Sequence, residues 1–162
     1  MKVGINPSLK GLITGAVMIA VFLIIYATAS MPDSRLQYLV YGLYGAGIVW
    51  TLVRYRRSDS FTGAFMDLFT QGFRCFVVVT LCMALFYGIF NYMHPEFATE
   101  TALAYQKELA EKNQMMPSEI ESAVATFKKQ YTLKLVSGAI FGYLIIGAGI
   151  TAALSALLTR RQ

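Results

Sequence analysis

Apolar positions in this chain collect into long blocks separated by short polar joints, and one block changes character midway. Phe61–Arg74 is amphipathic: Phe61, Phe65, Phe69 and Phe73 recur every four residues and draw a slowly drifting stripe along one helical face. At about 100° per residue, Asp67, Gln71 and Arg74 fall within about 60° of one another on the opposite side. Cys75–Met93 then runs apolar for about 19 residues, close to the ~20 that carry a helix across ~30 Å of hydrocarbon. Three further blocks match that scale, at about 11–30, 36–53 and 133–158.

The joints are equally readable. Met31-Pro32-Asp33-Ser34 predicts a tight connection, with proline stopping one helix and Asp33 or Ser34 capping the next. Tyr38, Tyr41 and Trp50 fall near the ends of the second block, as interfacial aromatics do, and Gly42, Gly45 and Gly47 let a neighbouring backbone approach. Arg54–Ser60 is a basic loop leading into the amphipathic stretch, and Pro95 closes the third block. Residues 96–132 are the only long polar segment. Ala102, Tyr105 and Leu109 mark one helical stripe, and Ile120, Val124, Phe127 and Tyr131 a second. Asn113–Pro117 separates them, with Ser118 and Glu121 spaced as a capping box, and nothing breaks the helix between Phe127 and Ser137.

The expected fold is therefore all-α: a polytopic membrane protein of one domain, residues 1–162. It has four transmembrane helices, an amphipathic lead-in at 61–74 and a polar helical hairpin at 96–132 between the third and fourth spans. Composition agrees. Of 162 residues, 56% are hydrophobic, above the ~45–50% of soluble domains, and mean hydropathy is +0.53. A signal peptide competes for the first block, because Ala27-Thr28-Ala29 resembles a cleavage site. The apolar run is longer than the usual ~7–15 residues, which favours a retained span.

Charge sets the expected sidedness. Lys2, Lys10, Arg54, Arg56, Arg57, Arg160 and Arg161 all flank apolar runs. The positive-inside bias puts both termini in the cytoplasm, and the hairpin, with Glu96, Glu100, Glu108, Glu111, Glu119 and Glu121 against Lys107, Lys112, Lys128 and Lys129, outside it. No basic stripe is left for a phosphate backbone, so nucleic acid is not an expected partner despite the net charge of +5.

Chemistry is sparse. Cys75 and Cys82 sit about 10 Å apart along one helix, too far for a bridge, and read as packing residues. His94, the single histidine, reads as a polar residue of a helix-ending joint. No Walker loop, triad or metal cluster stands out, so neither enzymatic activity nor a cofactor is expected. Asp67, Gln71 and Arg74 have two readings. They form the inner mouth of a small oligomeric transporter or channel, or they ride at the headgroups, because a helix of 33 residues exceeds the hydrocarbon. On the last span, Gly138, Gly142 and Gly149 share one face and predict close helix packing, as does the Gly11–Gly15 pair on the first.

Several features together resemble a known family. They are the Arg-rich loop entering Ser60-Phe61-Thr62-Gly63-Ala64-Phe65, the later Gly72-Phe73, and Pro95-Glu96-Phe97. Met115-Met116-Pro117-Ser118-Glu119 with Glu121, and the glycine-rich last span, complete the likeness, which covers nearly the whole chain. It resembles the small four-helix inner-membrane proteins of Bacteroidota filed as domain of unknown function 4199. Arg56-Arg57-Ser58 departs from that pattern in being shorter and more polar. The resemblance implies a fold and an address, with no activity attached. The expected function is that of an accessory or interaction module, engaging the lipid bilayer and either a protein partner or a second copy through small-residue faces.

Overall fold

The computed structural model describes residues 6–28, 34–112 and 115–160. Five helices occupy nearly all of them: α1 (Pro7–Thr28), α2 (Ser34–Arg56), α3 (Phe65–Met93), α4 (Glu96–Glu111) and α5 (Pro117–Arg160). The expected joint at Met31–Asp33, the cleavage alternative after Ala29, and Asn113 lie outside the described residues. α1, α3 and α5 are each long and apolar enough to cross a membrane. α2 is not among these three, because its glycines, tyrosines and terminal arginines dilute its apolar content.

Two helix starts differ from expectation. The amphipathic lead-in begins at Phe65, and residues 61–64 form a turn in which Gly63 adopts φ 88°. That left-handed conformation, natural to glycine, ends any helical continuity from Phe61. The helix expected to start at Ser118 starts at Pro117, where a missing N–H costs nothing. The Met116 N–H donates to the Glu119 carboxylate at 2.9 Å, so the reach-back half of a capping box is made two residues earlier than the Ser118/Glu121 spacing predicts. α5 then continues unbroken for 44 residues, about 66 Å at 1.5 Å per residue.

The described residues fall into two compact units, one within residues 1–83 and 140–162 and one within residues 84–139. In the first, Tyr44, Ile48, Leu52, Leu68, Phe76 and Val79 are buried at the centre of α1, α2 and the adjoining parts of α3 and α5. Small residues bring the helices together: Gly47 meets Thr14, Gly15 meets Cys82, and Gly72 meets Thr151. Tyr44 donates to the Tyr143 carbonyl at 2.7 Å, and the two rings meet edge-on at 5.2 Å.

The second unit is a helix pair resting on the end of α3. Tyr105 stacks on Phe127 at 4.7 Å, Thr101 donates to the Tyr131 hydroxyl at 3.4 Å, and Ala102 is buried beneath them. Both expected stripes therefore face each other. Asn91 donates to Thr132 at 3.1 Å, tying α3 to α5. His94 and Glu96 pair at 2.7 Å across the joint. The Glu96 carboxyl is held below its usual range by its own backbone N–H at the start of α4, and then by His94. Glu108 raises the Lys112 ammonium by a hydrogen bond one turn away.

Large apolar side chains remain on the outside. Leu81, Leu85, Ile89 and Tyr92 line one exposed edge of α3, and Phe141, Ile145 and Leu157 are exposed on α5. Apolar surface on this scale is foreign to a water-soluble monomer and natural against lipid.

Candidate functional site

Asp67 is the third residue of α3, and its carboxylate turns back toward the preceding turn. It accepts from the Thr62 N–H at 3.3 Å and from the Thr62 hydroxyl. A carboxylate here satisfies loop donors and faces the positive end of the helix dipole. Gln71 is half-buried, Arg74 is exposed, and among the described residues no hydrogen bond or ion pair joins either one to Asp67. The structure does not bring the three together as a relay. Asp67 fastens a turn, and the signal for that was local: Thr62 followed by a glycine.

This assignment has a measurable consequence. Asp67→Ala should cost about 1 kcal/mol, the scale of a lost helix cap, and Arg74→Gln less than about 0.5. The double variant should equal their sum within about 0.5 kcal/mol, measured by thermal unfolding in detergent. A coupling well above that would place both charges in one shared site.

The glycines separate into two classes. At Gly11 an added methyl would lie 2.5 Å from the Cys75 carbonyl oxygen, and at Gly15 3.0 Å from the Cys82 Cβ, so both make close helix contacts. At Gly138, Gly142 and Gly149 an added methyl would meet nothing within 4 Å. Among the described residues, nothing makes the packing expected of that face. The packed stripe of α5 is Tyr143, Gly147, Thr151 and Ser155. On a wheel of about 100° per residue, Gly138, Gly142 and Gly149 lie roughly 140–180° from Gly147. Small residues occupy both sides of α5, and the side fitted to its neighbours is the one with hydroxyls and a tyrosine. There the Thr151 and Ser155 hydroxyls are buried with no hydrogen-bond partner among the described residues. Nearby, Thr51 donates to Cys75 at 3.3 Å.

The third cluster is cationic. α1 buries Lys10, Gly11, Thr14, Gly15 and Met18, so Lys10 shares the register of the small packing residues, and the side chain is 4% exposed. That register was legible, but the lysine reads from sequence only as a flank. Its ammonium lies 5.8 Å from the Trp50 ring centroid. Trp50 also forms part of an open cleft of about 550 Å³ on α2, lined by Ala46, Val49, Trp50, Val53, Arg54 and Arg57. Among the described residues, no three or more His, Cys, Asp or Glu side chains group as metal ligands.

Comparison with known proteins adds a family. The family model described as "Protein of unknown function (DUF4199)" matches residues 10–161. No curated protein and no solved structure matches the chain.

Proposed function

The chain belongs to the DUF4199 family, and we propose that it is a non-enzymatic membrane module whose four spans carry a helical hairpin for contact with a protein partner. The observation that carries this reading is α5. Its 44 residues exceed what ~30 Å of hydrocarbon holds, and Phe127 and Tyr131 in its first half pair with α4 instead of lipid. In this reading α2 is the fourth span, sheltered by its neighbours at Tyr44, Ile48 and Leu52. The antiparallel approach of α1 and α2 at Thr14 and Gly47 supports it, since it sets Lys10 beside the arginine-rich end of α2. Both termini and Arg54–Arg57 then lie in the cytoplasm of a bacterial inner membrane, and residues 96–132 lie outside. The hydrogen bonds from Thr62 to Asp67 favour this reading over a transporter that uses the Asp67, Gln71 and Arg74 face.

Photo-crosslinking tests the module. A photoreactive residue replacing Glu100 or Lys128, both exposed, should yield a discrete protein adduct in native membranes. The same group at Leu85 should yield none. Adducts equally absent at all three positions would remove the hairpin from any interaction. Labelling of Ser58→Cys but not Lys112→Cys by an impermeant maleimide, in a background without Cys75 and Cys82, would invert the proposed sidedness.

A further inference from the structure

We propose that Lys10, Arg54 and Arg57 hold the phosphate of an anionic glycerophospholipid whose acyl chain lies along Ala46, Val49, Trp50 and Val53. The proposal rests on the reading that α2 crosses the bilayer with its arginine end at the headgroups. Those α2 positions recur at helical spacing, so the cleft is one face of one helix, apolar along its length and basic at its end. That is the polarity of a phospholipid lying parallel to a span.

The second, independent observation is Lys10. A lysine that is 4% exposed needs a counter-charge or several acceptors, because burying an unpaired ammonium is costly. Trp50 offers its ring face, which offsets only part of that cost. Arg54 is near enough to repel it. Among the described residues no carboxylate pairs with Lys10, Arg54 or Arg57. Arg54 and Arg57 line the cleft, Lys10 lies against its Trp50 wall, and among the described residues no anion pairs with any of the three. A phosphodiester answers all three: arginine binds it through a planar pair of N–H donors, and lysine as a point charge. A zwitterionic lipid would bring its own cation to the same place and gain little.

Trp50 is the single tryptophan of the chain and lines the cleft, so its fluorescence reports the site directly. The full chain is reconstituted in vesicles containing either acyl-brominated phosphatidylglycerol in unlabelled phosphatidylcholine, or the reverse. Brominated phosphatidylglycerol should quench Trp50 at much lower mole fraction than brominated phosphatidylcholine. Arg54→Gln with Arg57→Gln should lower that preference about thirtyfold, from the typical contribution of each basic residue near an anionic surface. Lys128→Gln with Lys129→Gln, far along the chain, should leave it unchanged. Equal quenching by both lipids would overturn the proposal while leaving the membrane reading intact. Loss of the preference on adding millimolar inorganic phosphate would assign the cations to a free anion and overturn the lipid. Absence of quenching by either would show that this α2 face does not meet acyl chains, and would sink the spanning reading with it.

Discussion

Gly147→Ala should destabilise the protein by about 2–3 kcal/mol, the upper part of the range for overpacking a close-fitted core. Its methyl would come within 2.8 Å of the Phe76 ring and closer still to the Tyr44 hydroxyl. Neither neighbour yields easily: Tyr44 is fully buried and hydrogen-bonded, and Phe76 is 2% exposed. Alanine's helix preference, about 0.5–1 kcal/mol over glycine, recovers only a fraction. Gly142→Ala enters open space and should change stability by less than about 0.5 kcal/mol in either direction. Thermal unfolding of the two variants in the same detergent, followed by helical circular dichroism, measures the contrast. Equal losses would mean that α5 is rotated from the orientation described.

Tyr44→Ala should cost more, about 3–5 kcal/mol, because the ring fills the centre of the first unit with no exposed surface. Tyr44→Phe isolates the hydroxyl. Its loss should be about 1 kcal/mol, since the Tyr143 carbonyl keeps a helical N–H and is not stranded. The two sites share an atom contact, so their effects should not add. Tyr44→Phe combined with Gly147→Ala should be less destabilised than the sum, because the oxygen nearest the new methyl has gone. Full additivity by denaturation would separate Tyr44 from Gly147 and contradict the packing.

The helices and their apolar scale were legible because hydropathy and proline mark them without help from tertiary structure. Both hairpin stripes were legible for the same reason: Tyr105 and Phe127 sit at the periods that bring them into a stack. Which glycine face of α5 packs was not. Gly142 and Gly147 are chemically identical, and the choice between their faces is made by Tyr44 and Phe76, on other helices. The partner of Asp67 was hidden for a different reason. The wheel assumes helix from Phe61, whereas Gly63 turns the backbone and offers Thr62 to the carboxylate. Lys10 looked like a topological flank, and its burial depends on how α1 meets α2.

The hydrogen bond from Tyr44 to Tyr143 also sets a clock on biosynthesis. Its partners stand 99 residues apart in the chain. At a synthesis rate of about 5–20 residues per second, α2 emerges roughly 5–20 s before the carbonyl that will receive its hydroxyl. Through that interval the tyrosine must turn to water, a lipid headgroup or the insertion machinery. The Tyr44 hydroxyl of α2 thus waits for its native acceptor until the last helix is made.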